Sequence, residues 1–534
     1  MNTAATRLRG GALLRALRLR PRLAGLAAVV LFLVGVAHFY QEEYGFTSLI
    51  SIGDVLNDSK VTALRRIPHY VYDGSAGYDG AYYVQLALHP TLDNPELARA
   101  IDNLPYRAKR ILLCWVAWAF GLGRPAWVVQ AHALLNVVCW LALAWVLLRW
   151  FPLVSWGNLL RWAAVMYSHG MCMSVRHSLV DGPSLLLVAL AMRWYEDGRR
   201  GAGAAALACA GLAKETSLLA VAGWAEVGSK STRAWWRPVA TAVLVAVPLL
   251  LWMAYVRWKI GPAEDPGLRN FTLPFAGLAE KWGETLGQLS VRNESTLRWA
   301  TLATISALCV QWLFFAWYRR PAEAWWRVGA TFAAMMAFLS TPVWEGFPGA
   351  STRVLLPMTL AFNVLVPRGR RWLPVLVAGN LTVAAAYKEF TPPAQEFHRV
   401  TGERVVLGAV RVERTGGWYG PENYGRDRWR WSSGQAELAI RNASGGPLSV
   451  VVRGRVAAPD QRNLRIFAGE AMVWSGSIGD KQTSFQFGKV VPEAGAVLRF
   501  VSDKKGRMIG TDPRALAFCV FNLEIVVAPA APQR

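Results

Sequence analysis

The feature that most constrains this chain is a change of hydrophobic pattern near residue 390. Before it, apolar runs recur from residue 23 to about residue 388, many of them long enough, or nearly so, to cross a bilayer. From about residue 400, apolar and polar residues alternate with a period of two, punctuated by Gly, Pro, Asn and Asp. The pattern predicts a polytopic α-helical membrane domain followed by an all-β sandwich of roughly eight strands.

The same change of pattern sets the predicted domain organisation. We expect the first external loop to span residues 41–110, within the membrane domain. The predicted parts are a basic cytoplasmic N-terminus at residues 1–22, the transmembrane domain at 23–390, a linker at 391–399, a periplasmic β-sandwich at 400–528 and a tail at 529–534.

The charge distribution supports this organisation. The chain carries 58 Lys and Arg against 35 Asp and Glu, a net charge of +23. Such a balance can indicate nucleic-acid binding, but here the basic residues lie in short tracts between apolar runs, as the positive-inside rule describes. With a cytoplasmic N-terminus, every tract that the alternation of runs places inside is basic. The same alternation predicts crossings at residues 159–175 and 372–387 and an external loop from about residue 259 to 298. The sequence therefore predicts about eleven crossings, contact with membrane lipid and no nucleic-acid partner.

The six cysteines and seven histidines indicate no metal or disulfide framework. No two cysteines form a CxxC pair, and five of the six lie in apolar runs. His169 and His177 flank one predicted turn, and we assign them no metal.

The stretch GYDGAYYVQLALHP at residues 77–90 places a carboxylate, Asp79, in the first external loop. Asp79 could act as a general base on an acceptor hydroxyl, or be a turn residue among tyrosines that anchor the loop at the interface. The residues alone favour the turn, and Asp73 is a second candidate acid. Residues suited to a ligand site surround Asp79: Gly77, Tyr78, Gly80, Tyr82 and Tyr83.

Lys214 lies between two short apolar segments, at residues 202–213 and 217–227. Each is shorter than the roughly twenty residues of a straight spanning helix, and broken segments occur where the chain lines a cavity. An ionisable residue there is either functional or paired structurally with Glu215 or another buried acid.

Other charged residues have two interpretations each. Arg353 follows an external loop and could hold a phosphate or extend to the interface. Arg107 and Arg110 could also bind phosphate or anchor a helix. Asp181 could cap its helix or line a cavity, and Glu345 could orient Arg353 or be solvated.

Aromatic residues are dense in GGWYGPENYGRDRWRWSSG, at residues 416–434 of the predicted sandwich. Exposed Trp and Tyr rings could stack on sugars. We favour packing in the sandwich core, because aromatic side chains are core residues first.

Several segments together resemble bacterial GT-C-type glycosyltransferases, which are polytopic enzymes that take sugars from polyprenyl-phosphate donors. The resemblance runs in order through most of residues 20–390, with Ala81 where Gln is common and His89 where Asp is common. The segments are YDGAYYVQLALHP at 78–90, DNLPYRAKRILL at 102–113, DGPSLLLVALAMRW at 181–194, AGLAKETSLL at 210–219 and STRVLLP at 351–357.

This resemblance implies a reaction and a location. A sugar would pass from a polyprenyl-phosphate donor to a cell-envelope glycan or lipid-linked acceptor, on the periplasmic side of a bacterial inner membrane, by direct displacement with inversion. Asp79 would be the catalytic base. No cofactor is implied with certainty, and a divalent ion is left open. The implied donor-phosphate ligands are Arg353, Lys214, Arg107 and Arg110, and the implied cavity or acceptor residues are Tyr78, Gly80, Tyr82, Tyr83, Asp181, Glu215 and Glu345.

Two other functions are compatible with the sequence. Broken apolar segments and buried charges also suit a transporter or flippase of lipid-linked sugars, although the chain shows no repeat between its halves. A non-catalytic envelope protein could bind glycan through the sandwich, but it would not require Lys214 or Asp181 within apolar runs.

Overall fold

A computed structural model describes most of the 534-residue chain. The described residues are 3–41, 44–53, 59–72, 75–225, 232–261, 266–289, 295–346, 349–391, 404–407, 410–424, 427–442, 446–509 and 512–529.

The chain forms two compact units. The first comprises Met1–Tyr40, Ser59–Leu64 and Asp79–Thr391, and contains nearly all the α-helices. The second comprises Gln41–Asp58, Arg65–Tyr78 and Pro392–Arg534, and contains all the described strands.

The α-helices are α1 Thr3–Ala37, α2 Thr62–Arg65, α3 Asp79–Leu88, α4 Leu97–Ala100, α5 Leu104–Ala108, α6 Leu112–Phe120, α7 Pro125–Val146, α8 Trp156–Met166, α9 His169–Arg176, α10 Asp181–Glu196, α11 Arg200–Ala213, α12 Thr232–Ile260, α13 Ala276–Leu289, α14 Ser295–Trp317, α15 Ala324–Ala337, α16 Thr341–Trp344, α17 Ser351–Val354, α18 Leu356–Leu365, α19 Leu373–Ala378 and α20 Val383–Ala386. The 3-10 helices are Thr47–Ile50, Leu147–Arg149, Glu215–Trp224, Pro266–Asn270, Arg370–Trp372 and Tyr387–Phe390.

Among the described residues, four helical stretches are long and apolar enough to cross a membrane. They are Arg20–Ala37, Pro125–Arg149, Trp236–Ile260 and Arg298–Trp317, and they match four of the apolar runs in the sequence. The other apolar helices are shorter, so the figure of about eleven crossings stays a prediction.

Two predicted continuous crossings are broken in the structure. The run at residues 159–175 divides into α8 and α9, and the run at 372–387 divides into short helical pieces. At the first break, α9 packs so closely on α17 that a Cβ atom at Gly170 would lie 2.3 Å from the Thr352 carbonyl oxygen. The ends of these helices are therefore set by tertiary packing, because the apolar pattern of the sequence continues across them.

The short segments around Lys214 are a broken helix pair, as predicted. Helix α11 ends at Ala213, Lys214 is extended, with φ −158° and ψ 119°, and a 3-10 helix then runs over Glu215–Trp224. Ten residues is long for a 3-10 helix, which seldom exceeds three or four. Arg327 donates to the carbonyls of Ala222 and Gly223, at 3.0 and 2.6 Å, and so satisfies the end of that helix.

The described part of the second unit contains eleven strands, more than the eight or so expected. They are β1 Arg404–Leu407, β2 Val410–Tyr424, β3 Asp427–Asn442, β4 Leu448–Ala457, β5 Arg462–Ala468, β6 Ala471–Ile478, β7 Thr483–Val491, β8 Ala496–Ser502, β9 Arg507–Ile509, β10 Asp512–Leu516 and β11 Phe518–Pro529.

These strands form one antiparallel sheet in the order β6-β5-β8-β3-β11-β4-β7, with β2 on β3 and β1 on β2, and a separate β9–β10 pair. The end strands β6 and β7 meet through Trp474 and Phe485, whose ring centroids lie 5.7 Å apart. The sheet therefore curves on itself into a sandwich or barrel-like domain. Alternate apolar residues of its strands fill the core, as the period of two predicts.

Candidate active site

Asp79 is the first residue of α3, and its side chain is held by two arginines. Arg107 Nη2 lies 3.0 Å from Asp79 Oδ1, and Arg353 Nη1 lies 3.4 Å from Asp79 Oδ2. The Asp79 side chain keeps 26% exposure, while both arginine side chains are about 10% exposed. Asp79 is thus more accessible than the two arginines that hold it.

Arg107 is shared between Asp79 and Asp102. Its Nε and Nη2 donate to the two oxygens of Asp102, at 3.0 and 2.8 Å, and its guanidinium lies 5.0 Å from the Tyr82 ring centroid. Asn103 places Asp102 just before α5 by accepting the Tyr106 amide at 2.9 Å as the N-cap. The sequence analysis did not single out Asp102. The sequence signal for its role was the Asn-x-Pro helix start at residues 103–105, which places Asp102 before the helix that carries Arg107.

Arg353 connects Asp79 to a buried ion pair. Its Nη1 lies 3.4 Å from Asp181 Oδ2, and Asp181 Oδ1 accepts from Lys214 Nζ. The side chains of Asp181 and Lys214 are 2% and 8% exposed. Lys214 therefore pairs with Asp181 and not with its neighbour Glu215, and Asp181, in the first turn of α10, takes part in a buried ion pair.

Glu215 pairs instead with Arg110. Arg110 Nε and Nη2 donate to the two carboxylate oxygens of Glu215, at 2.8 and 2.6 Å, which is the bidentate geometry of a strong pair. The same guanidinium donates to the hydroxyls of Tyr83 and Tyr106, at 3.1 and 2.8 Å. The extended backbone at Lys214 lets two adjacent side chains reach two different partners.

These contacts form one cluster, which we call the charged network. In the part of the chain that the structure describes, its formal charge is zero, because four carboxylates face four cations. Its members are Asp79, Asp102, Asp181, Glu215, Arg107, Arg110, Lys214 and Arg353.

The network lowers the basicity of Asp79. Burial favours the neutral acid, but the positive charges of Arg107 and Arg353 outweigh burial and hold the pKa of Asp79 below its ordinary value of 3.8. Arg107 responds in the opposite sense: burial disfavours its charge, but contact with Asp102 and Asp79 raises its pKa above the usual range. With these partners in place, Asp79 is ionised and a weak base.

The remaining predicted site residues have different positions. Gly80 is buried in the first turn of α3. Tyr78 belongs to the second unit, where its amide donates to the Ser51 carbonyl at 3.0 Å. Glu345 is exposed, and within the described ranges it forms no ion pair with Arg353, so the orienting role considered for it is not seen. Asp73 lies outside the described residues.

His169 and His177 lie beside the segment that carries Arg353. The Nε2 atoms of both histidines lie 3.4 Å from oxygens of Glu389, and His169 Nδ1 lies 3.0 Å from Thr352 Oγ1. Among the described residues, no three His, Cys, Asp or Glu side chains are arranged to hold a metal ion.

The aromatic stretch of the second unit packs largely inward. The Trp418 ring lies 5.4 Å from the Phe500 ring, and its Nε1 donates to the Glu437 carbonyl at 2.9 Å. Trp429 Nε1 donates to Glu422 at 3.0 Å, and its ring lies 5.2 Å from that of Phe521. The core interpretation therefore describes Trp418 correctly.

Comparison with known proteins identifies a structural similarity. No protein-family model matches the chain, and no curated protein matches it. The chain is similar to the arabinosyltransferase EmbB from Mycobacterium smegmatis, with 13% sequence identity and a TM-score of 0.27. The match covers 88% of this chain and 64% of EmbB, so the chain spans less than two thirds of that protein's length.

Proposed function

We propose that this protein is a GT-C-type membrane glycosyltransferase. It transfers a sugar from a polyprenyl-phosphate donor to a cell-envelope glycan or lipid-linked acceptor, on the periplasmic side of a bacterial inner membrane. The observation that carries the proposal is the charged network: a partly exposed carboxylate joined to buried arginines in a unit of apolar helices.

The cations of the network suit the phosphate of the donor. Arg107 and Arg353 both reach Asp79, so a phosphodiester beside this carboxylate would meet two guanidinium groups, each able to donate two parallel hydrogen bonds. Lys214 pairs with Asp181, and Arg110 pairs with Glu215. We therefore assign direct phosphate contact to Arg107 and Arg353, and a supporting charge to Lys214 and Arg110.

The proposed reaction is a single displacement at the anomeric carbon. The acceptor oxygen forms the new bond as the bond from the anomeric carbon to the phosphate oxygen breaks, and polyprenyl phosphate leaves with the electron pair. The acceptor proton passes to Asp79, and the anomeric configuration inverts. The phosphate gains one negative charge while Asp79 loses one, so the total charge of the site is unchanged during the step.

Donor binding would itself make Asp79 a better base. In the structure, Arg107 and Arg353 stabilise the Asp79 carboxylate. A phosphate that draws these guanidinium groups toward itself weakens that stabilisation and adds a negative charge nearby, and both effects raise the pKa of Asp79. A general base works best when its pKa approaches the operating pH, so the base becomes effective only when the donor is present.

This coupling predicts two different pH profiles. The acidic limb of kcat/KM reports the free enzyme, so we expect it below the ordinary aspartate pKa of 3.8. The limb of kcat reports the donor complex and should lie at higher pH, because activity is lost as pH falls through the raised pKa. Initial rates at low and saturating donor concentration measure both limbs. If the acidic limbs of kcat and kcat/KM lie at the same pH, donor binding does not raise the pKa of Asp79 and the proposed coupling is wrong.

Replacing Arg107 by lysine should weaken donor binding while keeping the charge. The substitution removes the forked geometry, and loss of one charge-assisted hydrogen bond, about 1.5–3 kcal/mol, raises the KM for the donor about 10- to 150-fold. The matched control is Arg99→Lys, because the Arg99 side chain is 57% exposed and pairs with Glu96 in the same loop. Equal effects of the two substitutions would remove Arg107 from the phosphate site.

The decisive experiment is sugar transfer by the full-length protein in proteoliposomes. A panel of radiolabelled polyprenyl-phosphate sugars is supplied with membrane extract as acceptor, and label in the acceptor is measured against protein-free liposomes. Transfer of one sugar supports the proposal and identifies the donor. Movement of the donor across the bilayer without transfer would favour the transporter instead, and neither activity with any donor would overturn the proposal.

A further inference from the structure

Residues 271–289, which the sequence places in an external loop, carry an apolar surface that the rest of the described protein leaves uncovered. In the part before α13, Phe271 is 45% and Leu273 is 76% exposed. Phe275, the residue just before α13, is 38% exposed, and Leu286 on α13 is 54% exposed. These residues lie between two of the four candidate membrane spans, Trp236–Ile260 and Arg298–Trp317.

Helix α13 has three distinct faces. One face packs inward through Leu278, Lys281 and Thr285, all under 10% exposed. Lys281 Nζ donates to the Gly346 carbonyl at 2.9 Å, and this contact fixes the inward face. A second face is exposed and apolar, and a third is exposed and acidic. The apolar face carries Ala279, the partly exposed Trp282 and Leu286, and it continues the line of Phe275 just before the helix. The acidic face carries Glu280 and Glu284.

The apolar face lies alongside the interior of a candidate span. The Phe275 and Trp312 rings meet edge to face with centroids 5.1 Å apart. Trp312 follows Arg298, the start of that span, by fourteen residues, or about 21 Å of helix. Phe275 thus lies at the depth of the span's interior, far from its Arg298 end.

Backbone groups in the irregular segment before α13 form hydrogen bonds with other parts of the protein, as a position inside the bilayer requires. Thr272 and Phe275 amides donate to the carbonyls of Phe338 and Ala337, at 2.8 and 2.5 Å, and the Ser340 amide donates to the Asn270 carbonyl at 2.9 Å. Non-helical backbone is tolerated at membrane depth only where protein satisfies it. An ordinary aqueous loop would not need this pairing.

We infer that residues 271–289 form a re-entrant element whose apolar face contacts the acyl chains of membrane lipids, while its acidic face is turned to water. The occupant is the bilayer, because the surface is uncharged, continuous in sequence with two lipid-length helices and packed against the interior of one of them. The element also adjoins the site, since Asn270 Nδ2 lies 3.5 Å from the Tyr106 hydroxyl, which accepts from Arg110. This inference does not depend on the proposed reaction.

The test is fluorescence quenching of single introduced cysteines in the full-length protein in phospholipid vesicles. Leu273→Cys and Leu286→Cys probe the apolar surface, and Gly283→Cys is the matched control, because Gly283 is exposed and a Cβ there meets nothing within 4 Å. Each cysteine carries a bimane probe, and the signal of the parent chain with its six cysteines is subtracted.

We expect lipids brominated on the acyl chain to quench the probes at residues 273 and 286 at least threefold more than the probe at 283, with the order reversed for aqueous iodide. Iodide quenching at 273 and 286 equal to that at 283 would show an aqueous loop and overturn the inference. Protection from both quenchers would show that protein covers the surface, and would overturn it equally. Two independent probe sites keep the test decisive if one variant does not fold.

Discussion

Asp79→Asn is expected to reduce the rate of sugar transfer by about 10²- to 10⁴-fold, the usual contribution of a general base. The amide cannot take the acceptor proton, and it keeps the size of the carboxylate. The substitution leaves no arginine stranded, because Arg107 retains Asp102 and Arg353 retains Asp181. The loss should therefore appear in kcat in the proteoliposome assay, with the amount of folded protein unchanged.

The matched control is Asp93→Asn. Asp93 is an acid of the same loop, but its side chain is 61% exposed and its partner is Lys259, outside the charged network. This variant should transfer sugar like the wild type. If Asp79→Asn retains activity within about threefold, Asp79 is not the base, and Asp102 becomes the first candidate because it shares Arg107.

Lys214→Met is expected to lower the free energy of unfolding by about 3–5 kcal/mol, the cost of leaving one partner of a buried ion pair uncompensated. Asp181 is 2% exposed, so water cannot replace the lost ammonium group. The remaining contact, from Arg353 at 3.4 Å, is shared with Asp79. Unfolding of the purified protein by sodium dodecyl sulfate in mixed micelles measures the difference.

A second Lys–Asp pair supplies the control. Lys259 pairs with Asp93 at the surface, with side chains 30% and 61% exposed, so Lys259→Met should lower the free energy of unfolding far less than Lys214→Met does. The double variant Lys214→Met with Asp181→Leu should regain part of the stability lost by Lys214→Met alone, because no unpaired charge is then buried. Equal costs for Lys214→Met and Lys259→Met would show that burial of the inner pair has no energetic consequence.

Much of the site could be anticipated residue by residue. The sequence pointed to Asp79, Arg107, Arg110, Lys214 and Arg353, and the structure brings all five into one network. The sequence did not predict which carboxylate pairs with which cation. Glu215 or another buried acid was considered as the partner of Lys214; the partner is Asp181, and Glu215 pairs with Arg110. Asp102 was not among the candidates.

The two kinds of structure in this protein follow from its hydrophobic pattern alone. Long apolar runs can satisfy their backbone in lipid only as helices, and the period of two after residue 400 can bury one face only as a sheet. The length of an apolar run and the basic tracts beside it are local properties of the sequence. The four long candidate spans could therefore be predicted from the sequence.

The positions at which the charges meet and the helices break depend on tertiary packing. The members of the network come from α3, α5, α10 and α17, from Asp102 two residues before α5, from the turn after α5, and from the junction after α11. Their pairing depends on distances that no periodicity of the sequence records. The same holds for residues 271–289. Their sequence resembles an external loop, and only the contact of Phe275 with Trp312 places them beside the interior of a candidate span. Hydrophobic pattern specifies what a segment can bury, whereas packing specifies against what it is buried.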